Sequence, residues 1–367
     1  MELKKSAFAF WTILAVAGLL TACSRGATTA PAAASATAQT AAPSGTQDAA
    51  SAESAEPVYT APLTGQAVDR PIDSRPYLVM INNHAKARPQ SGLSRADQFY
   101  EVLAEGEITR ILAVFQSRPV EGAIGPVRSI RPYFIDIGKS LDAIFVHAGG
   151  SPDGYAMLSN EKLDHLDEIT NAGPYFWRDK SRKAPHNLYT NLDKIAQGVA
   201  KKKFHVAEPL LRTYPFLKPD APAQGEDAPS FDLTFLLKSY KVTYRYDPER
   251  QVYLRFINGE PHLDLNNREQ LSAANVVVLE APHRVLDDEG RRAVDLSAGG
   301  KAVLFQRGKM RQAEWKRART DDVIRLYEGG EELGLYPGQT HFLIIPDRPG
   351  IGERLHVGEE APQRNSP

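Results

Sequence analysis

Asp142-Ala-Ile-Phe-Val-His147 runs through Ala148 into Gly149-Gly150-Ser151-Pro152, and the class of the molecule turns on how that passage folds. The run is too short for a helix, nearly continuous in apolar residues and closed by glycine, which reads as a strand buried on both faces. Ser151 suits a helix N-cap and Pro152 the first helical turn, with Tyr155, Met157 and Leu158 continuing the helical pattern. A strand leading into a helix is the unit of an α/β layer. Two further runs of strand length lie upstream, Pro76 to Asn83 (PYLVMINN) and Ile108 to Gln116 (ITRILAVFQ). Downstream, Thr190 or Asn191 can cap a helix through Leu192, Ile195 and Val199, whose last turn carries Lys201, Lys202 and Lys203 at the favourable negative end of the helix dipole. These elements predict an α/β N-terminal domain over residues 57–212, with a mixed sheet flanked by helices.

Residues 213–231 (TYPFLKPDAPAQGEDAPSF) hold four prolines and read as a linker or an irregular excursion. Beyond them the period changes to two. Lys241 to Asp247 and Val252 to Ile257 alternate around a turn containing Asp247 and Pro248, and short strands recur at 275–279, 301–306, 312–316, 323–327 and 340–345. A smaller, mostly-β C-terminal domain over residues 232–347 follows from this, with 348–367 as a polar tail.

The N-terminus has a different character. Lys4 and Lys5 precede the apolar run Ala7 to Leu20, which suits the core of an export signal better than a membrane span. Leu20-Thr21-Ala22-Cys23 resembles the bacterial lipobox, so residues 1–22 are read as a lipoprotein signal peptide and Cys23 as the lipid attachment site. Residues 23–56, built from Ala, Thr, Ser, Pro and Gly, cannot bury enough apolar surface to fold and are read as a disordered tether. Together these place the chain in the cell envelope, anchored on the extracytoplasmic side of a membrane through the lipid on Cys23. Cys23 is the one cysteine, which excludes an intramolecular disulfide. With 44 basic against 45 acidic side chains and a net charge of −1, the chain lacks the cationic excess of a nucleic-acid protein.

Chemistry concentrates in the first domain. Arg110 lies within an apolar strand, Arg128 and Arg131 in Gly125-Pro-Val-Arg-Ser-Ile-Arg-Pro132, and Arg182 and His186 in Arg178-Asp-Lys-Ser-Arg-Lys-Ala-Pro-His186. A guanidinium among apolar residues needs a partner. Glu101, Glu105, Glu107 or Asp136 could supply one within the scaffold; alternatively the arginines line a pocket for phosphate or carboxylate, whose oxygens match the guanidinium fork. The turn Gly149-Gly150-Ser151, at a helix N-terminus, could add backbone N–H donors, and His147 and His186 ligand contacts or proton transfer. No nucleophile elbow, phosphate-binding loop, zinc-protease helix or calcium-loop spacing occurs, so no cofactor and no metal site is predicted.

The blocks Glu107–Ile111, Ile124–Phe134, Asp142–Pro152, Phe176–Asp179 and Arg182–Tyr189 resemble, in order, the YerB-type bacterial lipoproteins, domain of unknown function 3048. That resemblance spans nearly all of the chain after the tether and implies a two-domain envelope lipoprotein without an assigned activity. The order of strands, arginine loop and Gly-Gly turn is also similar to the LytR-CpsA-Psr phosphotransferases, which implies Arg110, Arg128 and Arg131 facing a polyprenyl pyrophosphate. Ile108-Thr-Arg110 departs from the Arg-x-Asp metal ligand of that family. Three functions follow for comparison with the structure: binding of an anionic envelope ligand, phosphotransfer on polyprenyl-linked glycopolymers, and a scaffold for another envelope protein.

Overall fold

The computed structural model describes residues 59–358 apart from residue 211. The expected signal peptide, Cys23 and the tether lie outside these residues. The principal strands of the first half are β1 (Tyr77–Asn82), β2 (Gln98–Glu105), β3 (Ile108–Phe115), β4 (Ile144–His147) and β5 (His165–Asp167). Its helices are α1 (Pro132–Ser140), α2 (Pro152–Asn160) and α3 (Leu192–Lys202). The second half contributes β6 (Ser230–Thr234), β7 (Lys241–Asp247), β8 (Val252–Ile257), β9 (Asn275–Ala281), β10 (Gly300–Gln306), β11 (Lys309–Lys316), β12 (Arg325–Glu328) and β13 (Thr340–Pro346).

One mixed sheet of twelve strands runs through both halves, with main order β12-β11-β10-β9-β13-β2-β3-β1-β4-β5. β13 is parallel to both its neighbours, β9 and β2, and so joins the second half to the first. β1, β4 and β5 are mutually parallel and end at the same edge. Alternation along each strand divides the core. Leu78, Met80, Leu112, Val114 and Phe145 meet Phe134 of α1 and Leu158 of α2 on one face. Val79, Ile81, Ile111, Ala113 and Val146 meet Ile195 and Val199 of α3 on the other. At Gly138 of α1 a Cβ would stand 2.2 Å from the Phe145 ring, so glycine is what lets the helix lie against the sheet.

The caps fall where the sequence places them: the Ser151 hydroxyl accepts from Gly154 N and the Asn191 side chain from Lys194 N. The expectation of a helix-flanked sheet holds only around the first-half strands, because the molecule is 14% helical and mostly β. In the second half a smaller sheet covers the large one. Phe231, Leu233, Tyr244 and Tyr253 of that sheet pack on Val276, Val278, Phe305, Leu343 and Ile345, with the Phe231 and Phe305 rings stacked at 3.8 Å.

Two segments differ from expectation. The proline-rich stretch is woven into the fold: Tyr214 is buried with its hydroxyl 3.3 Å from that of Tyr100, Leu217 N donates to Leu335 O, and β6 begins at Ser230. The start of the polar tail is also structured, as α4 (Ile351–Arg354) and β14 (Leu355–Gly358), the latter antiparallel to β6. Backbone pairing needs no apolar composition, which is why a polar segment can add a strand.

A buried polar network crosses between the halves. Glu101 of β2 and Arg255 of β8 are both 0% exposed and pair at 2.6 Å. The Glu101 carboxylate also accepts from Tyr240 Oη at 2.6 Å, Thr109 Oγ1 at 2.7 Å and Asn83 Nδ2 at 2.9 Å. Arg255 donates to Tyr244 Oη at 2.7 Å and His262 Nδ1 at 3.1 Å. Such a pair persists in the interior because its members are hydrogen-bonded on several sides.

Candidate functional site

At the shared carboxyl edge β1 and β4 part, and residues 126–130 wedge between them. Asn82 N donates to Pro126 O and Arg128 N to Met80 O on one side; Ala148 N donates to Arg128 O and Ile130 N to Gly149 O on the other. Main-chain pairing thus fixes Arg128 at the fork, where α/β sheets form their ligand crevices.

The arginines singled out from the sequence have separate fates. Arg110 donates to Glu105 Oε2 at 2.7 Å and to Ser129 O at 2.6 Å. Arg131 binds the other oxygen, Glu105 Oε1, and donates to Ile130 O at 2.8 Å. One carboxylate therefore holds both, as the scaffold alternative required. Arg182 donates to Ala87 O and Pro89 O, both at 2.7 Å, and fastens the 178–186 loop to the segment after β1. Arg128 makes no ion pair among the described residues, and its Nε is buried without a partner. Burial, and then Arg110, push its pKa down to about 10.

Around Arg128 gather residues from the segment after β1. The His84 and His186 rings stack at 4.6 Å, 21° from parallel. Asn82 Oδ1 accepts from His84 N at 3.0 Å, and Asn82 Nδ2 lies 2.9 Å from His186 Nδ1. Arg88 lies over the Tyr240 ring at 4.9 Å, and its Nη1 is a second buried guanidinium nitrogen without a partner. A cavity of about 180 Å³ opens beside it, lined by Asn83, His84, Arg88, Thr109 and Tyr240, with Glu107 and Ile108 also at its wall. Both imidazole pKa values are lowered, by burial first. Lys86, Arg88 and Arg128 then act on His84, and His84, Arg128, Lys86 and Arg182 on His186.

The glycine turn is occupied by its own neighbours. Gly149 N donates to Asp167 Oδ1 at 2.8 Å, Ser151 N to Ile130 O, and Gly150 bridges Ile130. Gly149 has φ +78°, a left-handed bend that suits glycine. His147 is fully buried, with Nδ1 2.9 Å from Gly149 O and Nε2 3.1 Å from His165 Nδ1. Burial holds its pKa down to about 4, so it is a neutral interior histidine at physiological pH. The structure brings Arg128 and His186 together and sets Arg110, Arg131, His147 and the Gly149–Ser151 turn in internal bonds.

A model for the N-terminal domain of a protein of unknown function, DUF3048, matches residues 63–205, and the model for its C-terminal domain matches residues 231–342. The chain belongs to the DUF3048 family. A curated relative, "Putative lipoprotein YerB" of Bacillus subtilis (strain 168), is 38% identical over 295 residues, 78% of this chain and 86% of that protein. The crystal structure of the YerB protein from Bacillus subtilis superposes with a TM-score of 0.73 at 35% identity, covering 82% of this chain and 99% of that one.

In this DUF3048 chain the residues that sequence reasoning missed are Asn82, His84 and Arg88. The signal was present: Asn82-Asn-His-Ala-Lys-Ala-Arg88 directly follows an apolar strand. That is the position for which His147 was singled out.

Proposed function

We propose that this DUF3048 protein is an exported, lipid-anchored envelope protein that binds a phosphate-bearing ligand at the cluster His84, Lys86, Arg88, Arg128 and His186. One observation carries the binding reading. Arg88 and Arg128 each keep a buried guanidinium nitrogen unbonded, and no carboxylate pairs with either among the described residues. Buried, unpaired guanidinium is costly unless an anion completes it. The anchor rests on the basic start, apolar run and Leu-Thr-Ala-Cys23 of the sequence, together with the lipoprotein name of the Bacillus subtilis relative. Phosphotransfer would need Arg110 and Arg131 free for the ligand. Both are held by Glu105, so the arginines support binding over transfer.

The test is calorimetric titration of the full-length chain in detergent with pyrophosphate. Arg128→Ala removes a charge-assisted contact and should weaken binding about 10- to 150-fold, the equivalent of about 1.5–3 kcal/mol, with an unchanged melting temperature. Normal affinity in Arg128→Ala, or a wild-type chain that binds no phosphoryl compound, would refute the reading.

A further inference from the structure

Resting on that anion site, we propose that His84 and His186 serve it as neutral donors, each carrying its proton on Nε2 and offering that N–H to an oxygen of one tetrahedral dianion of the phosphoryl class. The wiring follows from donors that have no alternative. A backbone N–H can only donate, so the bond from His84 N fixes the Asn82 amide with Oδ1 toward it. The other end of the amide is then Nδ2, a donor, and it faces His186 Nδ1 at 2.9 Å. His186 Nδ1 must present its lone pair, which puts the proton on Nε2. Turning the amide over would set Nδ2 against His84 N–H. Independently, Lys86 N donates to His84 Nδ1 at 3.1 Å, which fixes the second ring in the same tautomer.

Neither Nε2 has a protein partner among the described residues. The rings are near-parallel and stacked, with centroids 4.6 Å apart. The charge comes from elsewhere: Lys86, Arg88 and Arg128 face His84, with Glu107 across the cavity, and Lys86, Arg128 and Arg182 face His186. Two imidazole donors and two incompletely bonded guanidinia exceed what the two oxygens of one carboxylate accept in a plane, and suit a doubly charged tetrahedral group. Protonating either ring at Nδ1 would set donor against donor. The pair therefore binds without taking up protons, unlike a histidine that titrates on meeting an anion.

Sulfate is the probe, because it stays a dianion across the range in which histidine titrates. Titrated into the full-length chain between about pH 5.5 and 8, it should bind with a slope of log affinity against pH near zero. Imidazole ¹⁵N spectra should show both Nδ1 atoms as lone-pair nitrogens. His84→Phe keeps a stacked ring but loses the donor, and should weaken sulfate about three- to tenfold. A slope approaching −1 per histidine, a proton on either Nδ1, or undiminished affinity in His84→Phe overturns the assignment while leaving the anion site in place. Failure of both sulfate and pyrophosphate to bind the wild-type chain removes the site itself. Pyrophosphate in solution is compared with phosphatidic-acid vesicles; binding to either supports the site, and the tighter of the two identifies a free or a lipid-borne phosphoryl source.

Discussion

Replacing Glu101 by Gln changes one buried oxygen to an amide and leaves the surrounding volume intact, so its effect isolates the charge that joins β2 to β8. Oε1 of Glu101 accepts from Asn83, Thr109 and Tyr240, and Oε2 from Arg255. A glutamine whose oxygen keeps the first three partners must point its NH₂ at Arg255 Nη2. The guanidinium, 0% exposed, loses its counter-charge and meets a donor, while keeping its bonds to Tyr244 and His262. Breaking one side of a buried pair costs about 3–5 kcal/mol, and the retained acceptors set the expectation at about 3 kcal/mol. That is a large share of a domain stability of about 5–15 kcal/mol. Urea denaturation of the wild type, Glu101→Gln, Arg255→Met and the double variant measures it. The double variant should recover most of the loss, because no charge is then left stranded. A loss below about 1 kcal/mol in Glu101→Gln, or additive losses in the double variant, would show that the pair is not the junction described here.

Other outcomes follow from particular contacts. Glu105→Gln leaves Arg110 and Arg131 without a counter-charge and should cost about 2–4 kcal/mol in urea denaturation while pyrophosphate affinity is retained; a large loss of affinity would bring these arginines into the site. The pKa values of His147 and His283 are both held down to about 4 by burial. The unfolded chain, with histidine near 6.5, therefore binds more protons over that interval, so stability is complete above about pH 6.5 and falls as pH drops toward about 4; a flat stability profile there would refute their burial as neutral rings. Limited proteolysis should spare the bonds from Tyr214 to Leu217, which are packed and paired, and rapid cleavage there would make this segment a free linker after all. Cys23→Ser should leave an unprocessed precursor without acyl chains, detectable by mass spectrometry of the membrane fraction.

Apolar runs made β1, β3, β4 and β13 legible, because strands buried on both faces announce themselves by composition. β2 was hidden. Its Gln98, Glu101 and Glu105 break the apolar run, and they are tolerated only because Leu63, Arg255, Arg110 and Arg131 answer them, Arg255 from more than a hundred residues away. α1 was missed for a related reason: Tyr133, Phe134, Ile135 and Ile137 are all buried, so only Asp136 and Lys139 mark a polar side of the helix. The arginine blocks were legible as blocks, but which members pair depends on Glu105 reaching back across the hairpin to β3. Arg128 and Arg131 are only three residues apart, yet a single backbone wedge gives them opposite roles. His84 and Arg88 carried a local signal, a polar segment directly after an apolar strand, but nothing local shows that this segment meets a distant histidine and a distant tyrosine.

The position of β13 bears on how the chain is made. It is parallel to both β2 and β9 and lies between them, yet it follows both of them in the chain. Until residue 346 has emerged, the large sheet exists as two fragments, each with an open edge where β13 belongs. Open strand edges recruit other chains. A product terminated before residue 340 would carry every residue of the cluster around Arg128 and still expose both seams, so its fate should be association or degradation. Assembly of the large sheet thus has a commitment point at β13, and a chaperone that shields strand edges would be needed up to that point and not after it.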